Sequence, residues 1–164
     1  MDLTLISEEL KSKAISVGLC NQWTSEWNNE TIDSLCDKYI KGIDFCIEHD
    51  YPSNEYIKKN FDGIMQKHGI YVDDIFDKEN IKKCVVNGMS AGKLIYDKFN
   101  IGRIYLRHNS FLSISAKDSS KIFISVYDNS NLEITECSDY AKIYISKYGG
   151  NIKFDTNNKN IIIK

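Results

Sequence analysis

From residue 101 onward the chain repeats every ten residues: IGRIYLRHNS, FLSISAKDSS, KIFISVYDNS, NLEITECSDY, AKIYISKYGG, NIKFDTNNKN, then IIIK. The fourth column holds Ile104, Ile114, Ile124 and Ile134, followed by Tyr144 and Phe154. The second carries Leu112, Ile122, Leu132 and Ile152, and the sixth Leu106, Ala116 and Val126. The register reaches back to Cys84 and Leu94 in column four, and to Val86 and Tyr96 in column six. A one-residue shift near Lys142 puts Ile143 and Ile145 where columns two and four should stand.

Alternation of this kind is the period of a strand with one buried face. Because the repeat is even, every block returns its apolar columns to the same side. Two folds satisfy that: an antiparallel β-meander, or a single-stranded β-solenoid with two blocks per coil and coils about 4.8 Å apart. Tight hairpins want Asn-Gly, Asp-Gly or Gly-Gly at their centre. Only Tyr148-Gly149-Gly150 offers such a pair; the other bends read Asp-Ser-Ser, Asp-Asn-Ser and Cys-Ser-Asp. A solenoid also encloses its own apolar face, whereas a single-layer meander needs a partner for it. The turn chemistry therefore favours the solenoid over the meander.

The first half is different. Residues 1–80 hold 8 Lys/Arg and 16 Asp/Glu, and residues 81–164 hold 13 and 7, so the halves carry −8 and +6. With both Trp and the only Pro also in the first half, the expected organisation is a helical domain over 1–80 and a solenoid over 81–164, an α+β chain. Ser7 is positioned to cap a helix over 7–17, with Leu10, Ala14 and Val17 on its inner stripe and Gly18 at its end. Trp23 and Trp27, at i and i+4, would share one helical face. Thr31 opens a helix in which Leu35, Tyr39, Ile40, Ile43 and Ile47 hold the 3.6 period until Tyr51-Pro52. Ser53 opens another, lined by Tyr56, Ile57, Phe61, Ile64 and Met65 and ended by Gly69. Residues 70–80 read as an acidic connector with a short helical turn.

The segments GLCNQW, YIKGIDFCIEHDYPSNEYIKKNF, GRIYLRHNS and SVYDNSNLEI resemble a set of uncharacterised proteins of gut bacteria and their mobile elements. In these a short helical N-terminal unit precedes decad repeats with aromatic-Asp-Asn-Ser bends. The resemblance spans nearly the whole chain and implies the same two-part fold; no activity comes with it, so it implies no site residues. The repeats are also loosely similar to polymer-forming bacterial solenoids and to phage fibre or tail repeats, a likeness of architecture.

Chemistry-bearing residues are sparse. Cys46 and His49 form a C-x-x-H, with Cys20, Cys36 and His68 elsewhere, but structural zinc wants four ligands in two close pairs, so no metal or other cofactor is expected. No spacing joins a Cys to a His for nucleophilic catalysis. The seven acids of the repeat region include Asp118 and Asp128, which sit in bends where Asp is favoured for structural reasons. His108 reads as an exposed polar residue of a bend. A non-enzymatic structural or interaction protein is therefore the expectation, ahead of an enzyme using the solenoid face.

Binding has better candidates. Outward columns carry Arg103, Tyr105 and Arg107, then Lys117, Lys121, Phe123 and Tyr127, then Lys142, Tyr144 and Lys147, a set able to grip an anionic ligand. The competing reading is a solubilising face of ordinary β-formers with edge-protecting lysines. Trp23 and Trp27 could dock a protein partner or anchor a small helical core. A solenoid end invites further pairing; helices can cover one, and Ile161, Ile162 and Ile163 at the other would make a self-association edge, giving a homo-oligomer. Nucleic acid is not favoured at +6 without a known module. No apolar run approaches the roughly 20 residues of a membrane span, and MDLTLISEELKSK has no basic start before an apolar stretch. Five cysteines without a C-x-x-C favour a reducing compartment, so the expected location is the cytoplasm, or a virion or host cytoplasm for a phage protein.

Overall fold

In the computed structural model, which describes residues 3–28 and 30–164, contacts divide the chain into a helical unit ending at His68 and a second unit from Gly69 to Lys164.

In the helical unit, α1 (Leu3–Ser16) starts earlier than the expected Ser7 cap. Ile6 extends the buried stripe of Leu10 and Ala14 by one turn, and Ser7 lies inside the helix, its Oγ accepting from Trp27 Nε1 at 2.9 Å. Gly18 ends the helix at φ +103°, which lets the Leu19 N–H return to the Ala14 carbonyl at 2.9 Å. Trp23 lies in α2 (Asn21–Ser25), but Trp27 falls beyond its end, so the pair shares no helical face. Thr31 caps α3 (Ile32–Lys41) in a reciprocal box with Ser34. The expected single helix through Ile47 is instead interrupted at Gly42, which ends α3 and starts α4 (Ile43–Glu48). Glycine has the weakest hold on helical backbone after proline, and this one takes φ −96°, ψ 24°. Ser53 caps α5 (Asn54–Phe61) by accepting from the Tyr56 N–H, and a 3₁₀ turn, Met65–His68, follows.

The second unit is a β-solenoid of about four turns. Its strands are β1 (Ile70–Val72), β2 (Ile75–Glu79), β3 (Lys83–Asn87), β4 (Ala91–Tyr96), β5 (Ile101–Leu106), β6 (Phe111–Ala116), β7 (Lys121–Val126), β8 (Asn131–Cys137), β9 (Lys142–Lys147), β10 (Asn151–Lys153) and β11 (Ile161–Ile163). Odd strands form one sheet and even strands the other, and every described pairing is parallel. That excludes the meander. Residues 70–80, expected as a connector with a helical turn, instead supply β1 and β2, so the solenoid unit begins ahead of residue 81.

Columns two, four and six form the core. Ile104, Leu106, Leu112, Ile114, Ile122 and Val126 are fully buried, and Ile143 and Ile145 join them after the shift. The shift is a bulge: Ile114 pairs with Ile134 but Ser115 with Glu136. The extra residue, Thr135, donates its hydroxyl to the Ile114 carbonyl at 3.1 Å. Column two breaks at Gly92 and Gly102 because aromatic rings fill it. A Cβ there would stand 2.2 Å from the Phe76 ring or 2.5 Å from that of Tyr96.

The bends form hydrogen-bonded ladders. Asp118 and Asp128 adopt left-handed φ of 52° and 55°, as does His108 at 60°. Asp118 Oδ2 accepts from the Lys98 N–H and Asp128 Oδ2 from the His108 N–H, each at 2.8 Å, while His108 Nδ1 accepts from the Gly88 N–H at 3.1 Å. Each bend thus satisfies a backbone donor of the coil before it. In the bends after β3, β5 and β7 the closing serine turns inward: Ser90, Ser110 and Ser130 are buried and donate to the carbonyl three residues back.

Candidate functional site

The two sheets differ sharply in charge. Strand residues of the odd-numbered sheet include Lys83, Arg103, Lys121, Lys142 and Lys147 and no Asp or Glu. The even-numbered sheet mixes Lys78, Lys93 and Lys153 with Asp77, Glu79, Glu133 and Glu136, and one outward pair, Lys153 and Glu133, closes an ion pair at 2.7 Å. The strands of one sheet mix both signs, and those of the other carry cations alone.

Parallel register turns the decad columns into contiguous side-chain stacks on that cationic face. Arg103, Phe123 and Tyr144 occupy one row across β5, β7 and β9, continued by Ile162 on β11. The Phe123 and Tyr144 rings stack at 5.1 Å and 12°, and the Arg103 guanidinium lies 5.8 Å from the Phe123 centroid on the neighbouring strand. Tyr127 and Tyr148 form a second stack at 4.9 Å and 11°. Rings that stack along the coil direction cover each other's faces and turn their edges outward. The next row is Tyr105, Ser125 and Ser146. Its serines are too short to fill the space beside the aromatic row, which leaves a trough of about 200 Å³ lined by Arg103, Tyr105, Phe123, Ser125, Tyr144 and Ser146.

Of the residues singled out from sequence, Arg103, Tyr105, Phe123 and Tyr144 therefore meet at one trough. Lys121 is exposed on the same sheet, in the row that pairs with Lys142. Arg107, expected outward, is buried at 5% exposure, and Tyr105 contributes from a largely covered position. The serines were absent from the sequence-based set; they are visible only as the small members of an outward column between large ones.

Trp23 and Trp27 are half-buried and line an apolar cavity of about 300 Å³ within the helical unit. Ile161, expected as part of an exposed edge, is buried in the solenoid core, Ile162 is half-buried, and Ile163 is 40% exposed.

The nucleophile and acid–base candidates have structural surroundings. Burial pushes the Cys84 thiol well up, and burial with Asp33 and Asp37 pushes that of Cys36 up to about 12, so neither is a thiolate near neutral pH. His68 has Nε2 against Asp33 and Nδ1 against Asp37, each at 2.9 Å. Burial alone would lower its pKa; the two carboxylate hydrogen bonds outweigh that and raise it. No helix among the described residues is long and apolar enough to cross a membrane. Comparison with known proteins finds no matching family, no matching curated protein and no matching solved structure.

Proposed function

We propose that this chain is a non-enzymatic interaction protein whose solenoid presents the odd-numbered sheet to a carboxylate-rich segment of a partner protein. The observation that carries the reading is the sheet's composition: five cations and no carboxylate among its strand residues, one of which, Arg103, lines the trough with Tyr144. A bare cation row would suit any polyanion. The aromatic stacks narrow the choice. Tyr144 and the Arg103 guanidinium lie over the faces of Phe123, and its outward ring edge carries the partial positive charge that suits carboxylates. Ser125 and Ser146 add hydroxyl donors at the trough floor. Five cysteines without a C-x-x-C fit a reducing cytoplasm, of a bacterium or of a phage host, and the resemblance to mobile-element proteins fits a factor directed at a host partner.

Full-length protein titrated with fluorescently labelled poly-glutamate should bind with an affinity that falls steeply as salt rises. Arg103→Glu with Lys121→Glu should weaken it by about tenfold or more while leaving the thermal midpoint near its starting value. Binding unaffected by the double change, or no binding at low salt, defeats the reading.

A second reading is self-association through β11. Its support is Ile163, which pairs with the fully enclosed Ile145 yet is itself 40% exposed. Light scattering should then show a defined oligomer that Ile163→Lys dissociates; a concentration-independent monomer ends it.

A further inference from the structure

The helical unit holds a second site, independent of the solenoid face. Its cavity of about 300 Å³ lies among α1 to α5 and is walled by Leu10, Ala14, Trp23, Trp27, Leu35 and Phe45. The pocket is half open and its lining is mostly apolar, and ligand pockets begin at roughly this volume.

We propose that this cavity binds a small, uncharged, apolar molecule. Size sets the first limit: at about 300 Å³ the pocket stands at the small end of ligand pockets, which suits a short alkyl chain or a substituted benzene. Charge sets the second. Lys38 is committed, with Nζ 3.2 Å from Glu30 Oε1, 3.2 Å from the Glu26 carbonyl and 5.7 Å from the Trp27 ring centroid. Lys41 and Asp44, both exposed, add opposite charges to the lining, so the mouth offers no net field for an ion. Backbone geometry keeps the space open. Trp27 is pinned to α1 through Ser7, and the break at Gly42 lets the Trp23 ring approach the backbone, within 3.6 Å of where a Cβ would stand.

The chain's two tryptophans both line this cavity, so intrinsic fluorescence reports on it directly. Full-length protein titrated with 1-octanol or propylbenzene should show a saturable change in tryptophan emission and a rise in thermal midpoint, with octanoate much weaker than octanol. Ala14→Leu fills the space and should abolish the response while leaving the fold intact or raising its midpoint. If that variant fails to fold, Leu19→Trp at the half-buried mouth serves instead and should weaken binding at least severalfold. Absence of saturable binding in the unaltered protein, octanoate binding as tightly as octanol, or full binding in the filled variant each overturns the proposal. None of these outcomes bears on poly-glutamate binding, so the two sites stand or fall separately.

Discussion

Asp128 shows how a residue can be legible in type and illegible in role. Its place in an Asp-Asn-Ser bend marks it as a turn former, since Asp tolerates the left-handed φ it adopts. Its second task, accepting the His108 N–H at 2.8 Å, involves a residue twenty positions earlier and leaves no local mark in the sequence. His108 itself reads from sequence as an exposed polar residue of a bend; its Nδ1 also holds the Gly88 N–H, one step further along the same ladder. Asp128→Ala should therefore lose on two counts, the left-handed preference and the bond between coils. The expected cost is about 1–3 kcal/mol by urea denaturation, with Asp128→Asn losing much less because it keeps both an acceptor and the tolerance of positive φ. Equal losses for Ala and Asn would show that the ladder bond contributes nothing.

Among the elements, strands of six residues with strict alternation were readable, and short or charged ones were not. β6 and β7 announce themselves because columns two, four and six are all apolar. β2 does not: in IFDKE only Phe76 is buried, and three of its five residues are charged. Its strand state comes from pairing with β4 over the whole of Ile75 to Glu79, a tertiary effect. The break between α3 and α4 escaped for a related reason, since Leu35, Tyr39 and Ile43 keep helical period straight across Gly42. The tie between α3 and the 3₁₀ turn is likewise nonlocal, with His68 bridging Asp33 and Asp37 one helical turn apart. Because His68's folded pKa is raised, the stability it contributes is fully present below the unfolded value of 6.5 and is lost as pH rises through the raised folded value. Hydrogen exchange of α3 should accordingly become faster, relative to the intrinsic rate, as pH climbs past that point. Asp33→Asn with Asp37→Asn should flatten the dependence and return the His68 titration, followed by NMR, toward 6.5. A wild-type His68 that titrates at or below that value refutes the tie.

For the molecule as a whole, the candidate site illustrates what a repeat can and cannot disclose. The decad told which side chains face outward, so Arg103, Phe123 and Tyr144 were identifiable as candidates. That they form one row required the register of β5 on β7 on β9, including the bulge at Thr135 that brings Tyr144 opposite Phe123. The helical cavity was wholly hidden, because its walls come from separate helices. The solenoid's construction also dictates how it should come apart. Each coil packs on the coil before and the coil after, so stability adds approximately as nearest-neighbour terms. Strands β5 to β8 have paired neighbours on both sides, whereas β1, β2, β10 and β11 each pair on one side among the described strands. Amide exchange should therefore be slowest in β5–β8 and fastest in the three-residue strands β1, β10 and β11. Ile124→Ala, in the enclosed core of β7, should cost about 2–5 kcal/mol. Its faster exchange should spread first to β5 and β9, the strands hydrogen-bonded to it, and to the facing core strands. If protection instead fell uniformly through residues 69–164, the solenoid would be one all-or-none cooperative block, and the additive account of its stability would have to be abandoned.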